Sequence, residues 1–177
     1  MIKDGNLTDV ENARKLLKNV PDEMFDTWLR PIVERSGFPF SNVADDIQGT
    51  KWVGYLGYES LSIFSGYSWR KSTGLPVDKI PFKESSLWII DGLITYNLTG
   101  KWTLGGRPIP DCKERFGFHV GWVQRTGRLI APIVIRFTVD GFLVLDGSHR
   151  LAALFSLNRD DILIDAWMAE SNPPVGF

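Results

Sequence analysis

The stretch Ala131–Trp167 reads APIVIRFTVDGFLVLDGSHRLAALFSLNRDDILIDAW, and its alternation of apolar runs and breaks decides the fold class. Ile133–Val139 is apolar and β-branched apart from Arg136, and Phe142–Leu145 repeats that character after Asp140-Gly141. Two β-rich runs joined by Asp-Gly predict a hairpin, because Gly permits and Asp tolerates the positive φ of such turns. Leu151–Leu157 is made of strong helix formers and predicts a helix ending near Asn158. Ile162–Trp167 then predicts a further strand. A strand following a helix that itself follows a strand forms a β-α-β unit, for which parallel pairing and a right-handed crossover are expected. The class this predicts is α+β.

Between the second run and the helix stands Asp146-Gly147-Ser148-His149-Arg150. The first N–H groups of a helix lack intrahelical partners, and the helix dipole adds partial positive charge, so this junction favours an anion such as phosphate. Gly147 lets backbone approach closely. Ser148 can cap the helix or donate its hydroxyl to a phosphate oxygen, and His149 can donate to an anion or move a proton near neutral pH. Arg150 offers a planar fork suited to phosphate. Asp146 can hold Mg²⁺ or act as general base; equally, it can cap the helix or pair with Arg150. Upstream, Arg107, Lys113, Arg115, Arg125, Arg128 and Arg136 offer further phosphate contacts. The catalytic candidates are therefore Asp146, His149 and Arg150, and the nucleotide-binding candidates Gly147, Ser148, His149, Arg150, Arg136 and Arg128.

This segment resembles the ParB/sulfiredoxin superfamily. Its core is a proline-led strand, a hairpin, a Gly-x-His-Arg or Gly-Glu-Arg-Arg turn, a helix beginning with Leu/Tyr-Ala-Ala, and a final strand. The likeness is close over Ala131–Trp167 and loose over 85–170; the first 80 residues carry none. It implies a ParB/sulfiredoxin-like nucleotide-binding core over 81–177, with residues 1–80 as a helical and aromatic cap. Members of that superfamily bind and hydrolyse CTP, use ATP to repair a sulfinic acid, phosphorylate serine, or, in small plasmid-encoded proteins, hydrolyse ATP and degrade DNA. Gly147, His149 and Arg150 match the Gly-x-His-Arg positions, and Asp146 matches the Asp of the kinase-like members. Ser148 stands where sulfiredoxin has its catalytic cysteine, which argues against sulfiredoxin chemistry, and Cys112 has no motif around it to replace it. Only Met168–Phe177 follows the segment, too little for the DNA-reading and dimerisation domains of partition proteins. The resemblance implies ATP or ADP with Mg²⁺ as cofactor and an ATPase with possible DNase activity. A non-catalytic nucleotide-binding protein acting through a protein partner, or a small-molecule kinase, are the alternatives.

The rest of the chain bounds this reading. Its 177 residues are 44% hydrophobic and 23% charged, the balance of a globular domain, and its single cysteine excludes an internal disulfide. The net charge of −1 excludes a strongly basic nucleic-acid binder, yet residues 101–136 hold 7 basic and 2 acidic groups immediately before the turn. That stretch is the candidate DNA contact. No apolar run approaches a membrane span and the N-terminus has no apolar leader, so a cytoplasmic protein without membrane contact is expected, and Asn-x-Thr at Asn6 and Asn97 reads as chance. Val10, Ala13, Leu16 and Leu17 predict a helix from Thr8; a second is expected from Asp22 to near Gly37, kinked or shortened at Pro31. Leu87–Ile90, Asp91-Gly92 and Leu93–Asn97 predict another hairpin, and Thr99–Asp111 a loop that lacks the P-loop pattern. Strand and packed loop cannot be separated over 49–76.

Overall fold

A computed structural model describes residues 5–36, 64–106, 108, 111–159 and 161–170. Arg107, the Phe38-Pro39-Phe40 run and residues 49–63 of the aromatic segment lie outside the described residues. The chain is α+β, as expected, and divides into two compact units: residues 1–70 with 169–177, and residues 71–168. This division falls elsewhere than at residue 80.

In the first unit α1 (Gly5–Leu16) is followed by α2 (Asp22–Met24), a π-helical turn (Phe25–Leu29) and α3 (Arg30–Ser36). Val10, Ala13 and Leu17 are buried at helical spacing, as their pattern requires, whereas Leu16, expected on the same face, is exposed. Pro31 neither ends nor visibly shortens the second helix: a wide turn precedes it, with the Arg30 N–H bonded to the Phe25 carbonyl five residues back. Proline lacks an N–H and its ring crowds the carbonyl four residues earlier, and a π turn is one way to relieve that crowding. Trp28 packs with Phe64 and Trp69, the ring centroids 6.1 and 6.3 Å apart; Trp28 and Phe64 are core and Trp69 is half-buried against them.

The second unit carries the hairpin, the turn and the helix. A four-stranded sheet has the order β1-β4-β2-β3, with β1 Ser68–Pro76, β2 Ile133–Thr138, β3 Gly141–Asp146 and β4 Leu163–Glu170. The predicted hairpin is present: β2 and β3 pair antiparallel. Its tip is shifted by one residue, because Thr138 pairs with Gly141 and the loop is Val139-Asp140. Only Gly141 has positive φ, 115°, and a Cβ there would lie 2.4 Å from the Pro81 carbonyl oxygen. Glycine is required by this close approach, where Phe142 N–H donates to Pro81 and Lys83 N–H to Phe142, more than by the turn itself. The strand-helix-strand unit is also present, but β4 lies beside β2 and not β3, so the expected neighbouring parallel pair between the strands flanking the helix is not formed.

The hairpin expected over Leu87–Asn97 is instead the middle of a helix, α4 (Glu84–Thr99). Ser86, Ile90 and Leu93 are buried on one face, the helical period that the Asp-Gly signal had masked. Gly92 is there for packing: a Cβ would meet Leu104 Cδ2 at 2.4 Å. Of the loop expected over Thr99–Asp111, Thr99 is the last residue of α4, Gly100 closes that helix at φ 76°, and the described residues that follow run as irregular chain. A helix with no sequence-based expectation follows, α5 (Cys112–Thr126), ended by Gly127 at φ 65°. Cys112, Phe116 and Val123 bury one of its faces against a core that includes Ile90, Ile133, Ile135, Leu151, Leu154 and Ile164. Helix α6 (Ser148–Ser156) adds Leu151–Leu154, all buried.

Candidate functional site: the turn before α6

β3 ends at Asp146 and α6 begins at Ser148, so the Asp146–Arg150 segment forms the predicted strand-to-helix junction. Gly147 is the N-cap, not Ser148. It has φ 105° and is packed so closely that a Cβ would stand 2.7 Å from Ile133 Cγ2 and 3.1 Å from Arg150 Nη2. Only glycine combines that φ with that contact. No side chain caps the helix, and Leu151 N–H is the donor to the Gly147 carbonyl, which leaves the N–H groups of Ser148, His149 and Arg150 without intrahelical acceptors.

Arg150 is a largely buried guanidinium, its side chain 15% exposed. Its Nη2 donates to Asp146 Oδ2 at 2.6 Å and to the Pro132 carbonyl at 3.0 Å. The arginine therefore ties the turn to the start of β2, while its Nε is buried with no partner among the described residues. The paired form of Asp146 is the one present. That bears on Mg²⁺: Asp146 Oδ2 is occupied, the neighbouring Asp111 carboxylate accepts from Arg115 Nε at 3.1 Å, and no cluster of three acidic, His or Cys groups forms among the described residues. A resident Mg²⁺ cage does not fit this donor set.

Asp111 and His119, the groups sequence reasoning missed, belong to α5 and its N-cap, together with Arg115, which was expected as a phosphate contact. The N-cap Asp111, itself in the left-handed region at φ 61°, Arg115 and His119 follow one another at intervals of four, and the last two lie close enough to the turn to act on it electrostatically. His119 is pushed down to about 4 by burial, then by Arg150, His149 and Arg115, with Asp146 opposing. Burial is also the first cause that lowers His149, followed by Arg115, with Asp111 and Asp146 opposing. The chain has two histidines, and they lie within electrostatic reach of each other here. His149 Nδ1 is buried with no hydrogen-bond partner among the described residues. The site thus joins two neutral imidazoles, two carboxylate-held arginines and an uncapped helix start. The i, i+4, i+8 spacing of Asp111, Arg115 and His119, with Gly127 as terminator, was the available signal.

Of the other candidates, Arg128 lines a cleft together with Pro132, the residue whose carbonyl accepts from Arg150. Arg136 lies on β2 opposite Leu143, and burial lowers its pKa. Lys113 is turned to the Tyr96 ring, 5.3 Å from its centroid. Of the described members of the basic stretch, Arg115 is thus the one whose charge reaches both histidines. Comparison of the chain with protein-family models, curated proteins and solved structures finds no match. No helix among the described residues is long and apolar enough to cross a membrane.

The depressed histidines have a consequence for stability. Between pH 6.5 and about 4 the unfolded chain binds a proton at His119 that the folded chain refuses, so this contribution is complete above pH 6.5 and lost as the pH falls through that window. After allowance for solvent screening the loss is on the order of 1–2 kcal/mol. Urea unfolding across the window should show it, and His119→Gln should flatten the slope. An unchanged slope in that variant would remove His119 as its source.

Proposed function

We propose that this protein binds the phosphates of a nucleotide, ATP or ADP, at the Gly147–Arg150 turn and hydrolyses a phosphoryl bond there. The reading rests first on one observation: both histidines converge with Arg115 and Arg150 on an uncapped helix start. Ser148, His149 and Arg150 supply backbone N–H donors, and the Ser148 hydroxyl adds another. The resemblance to the ParB/sulfiredoxin superfamily at Gly147, His149 and Arg150 supports the same assignment.

In this reading His149, neutral at pH 7, takes a proton from the attacking water. The water oxygen bonds to phosphorus, the bridging oxygen leaves with the nucleotide, and His119 and the two arginines stabilise the charge that develops. Asp146 and Asp111 orient those arginines. Any Mg²⁺ would arrive on the nucleotide's own phosphates. The same donors could act on a DNA phosphodiester.

Isothermal titration with ATP, ADP and CTP and an assay of phosphate release test the proposal together. Binding tighter than millimolar with release slowed at least about a hundredfold by His149→Ala is expected. Binding without release would make the protein a nucleotide-binding module, and no binding would end the phosphate reading. Plasmid DNA cut by the wild type but not by His149→Ala would extend the substrate to DNA.

A further inference from the structure

A cleft of about 470 Å³ opens beside the turn, lined by Trp122 of α5, Arg128–Pro132 leading into β2, and Leu163–Asp165 of β4. Its volume is that of a small-molecule site. Two routes connect it to the turn. On one wall the Pro132 carbonyl receives Arg150 Nη2 at 3.0 Å. On the other, Trp122 stacks obliquely on Phe118 with centroids 6.3 Å apart, and Phe118 meets His119 edge-on at 5.4 Å.

The lining specifies a chemistry. Leu129, Ile130 and Leu163 offer apolar surface, and Trp122 adds an aromatic one. Two polar groups stand among them; the Trp122 indole N–H, without an acceptor among the described residues, is wholly buried, so Trp122 offers the cleft ring surface only. Arg128 is an exposed donor. Asp165 is exposed, and although its Oδ1 accepts from the Gly74 N–H at 3.1 Å, its carboxylate keeps further acceptor capacity. A purely apolar ligand would give neither Arg128 nor Asp165 a hydrogen-bond partner, and a second phosphate would be repelled by Asp165. A planar ring with an apolar face, a donor edge for Asp165 and acceptors for Arg128 satisfies both.

We propose that this cleft seats the heteroaromatic base of the nucleotide, an adenine-like ring, while its phosphates occupy the Asp146–Arg150 turn. The placement deepens the phosphate reading and rests on it. Adenine has the matching edge, an amino donor beside a ring-nitrogen acceptor.

The test uses the full chain and two half-ligands, followed by NMR. Adenosine, which carries no phosphate, should move the Trp122 indole resonance, identified by its loss in Trp122→Phe, and the backbone amides of 129–131. Pyrophosphate should move the amides of 148–150. ADP should move both sets and bind at least about tenfold more tightly than adenosine. Asp165→Asn, which keeps Oδ1 for Gly74, and Arg128→Ala should each weaken adenosine about tenfold. Adenosine that leaves the Trp122 resonance still at millimolar concentration, or binds both variants as well as the wild type, overturns the base seat. Adenosine bound in the cleft with pyrophosphate silent at the turn upholds the ring site and overturns the phosphate reading instead.

Discussion

Gly147→Ala is expected to destabilise the fold by about 3 kcal/mol and to abolish nucleotide binding. Two costs combine. A φ of 105° is a backbone conformation that an L side chain resists, at about 1–2 kcal/mol. The new methyl also has no room: Ile133 Cγ2 would lie 2.7 Å away and Ile133 Cβ 3.0 Å, both in the buried start of β2. Overpacking of this kind adds about 1–3 kcal/mol. Gly127→Ala separates the two effects, because Gly127 has φ 65° with nothing within 4 Å of an added Cβ. That variant should lose about 1 kcal/mol and keep its ligand. Thermal or urea unfolding of both decides it. Equal losses would mean that the packing of Gly147 on Ile133 contributes nothing.

Arg150→Ala has the second large effect, and it separates structure from function. The truncation leaves Asp146, 36% exposed, and the Pro132 carbonyl without their shared donor. The orphaned, partly buried carboxylate costs more than the carbonyl does, and a total loss of about 2–3 kcal/mol is expected. Binding of ADP should fall more than about tenfold as the guanidinium is removed. The double variant Asp146→Leu/Arg150→Met replaces the ion pair by apolar groups of similar reach and should recover most of the stability. It should recover none of the affinity. Restored stability together with restored binding would show that Arg150 holds the turn and nothing more.

How much of this was legible beforehand follows from where the determining contacts lie. The hairpin, the turn and α6 are encoded locally, by β-branched runs, a glycine and helix formers in immediate succession, and each stands close to its expected place. Asp91-Gly92 misled because the same dipeptide serves a hairpin or a packed helix, and what selects the helix is Leu104, twelve residues later, resting where a side chain would be. The neighbour of β4 was hidden for the same reason, since sheet order depends on contacts between distant segments. At the site, Gly147 and Arg150 were readable from the motif. His119 was not: its spacing from Arg115 marks a helix face, but only the packing of α5 near α6 makes that face part of the turn.

The acidic partners also change the meaning of the charge distribution. The +5 of residues 101–136 suggested a field that draws in polyanions. In the structure Arg115 is held by Asp111 and Arg150 by Asp146, so the turn presents oriented donors with little net charge. Such a site favours a short-range, hydrogen-bonded phosphate over long-range attraction. Its affinity should accordingly depend only weakly on salt.

The most direct test of the central claim is an NMR titration of the wild-type protein with ADP, read at the backbone amides of Ser148, His149 and Arg150 and at the two histidine rings. Saturable shifts are predicted at those three amides, together with an upward movement of both histidine pKa values as the anion binds. Amides 148–150 that stay in place up to millimolar ADP, or saturable shifts confined to other parts of the chain, would contradict it.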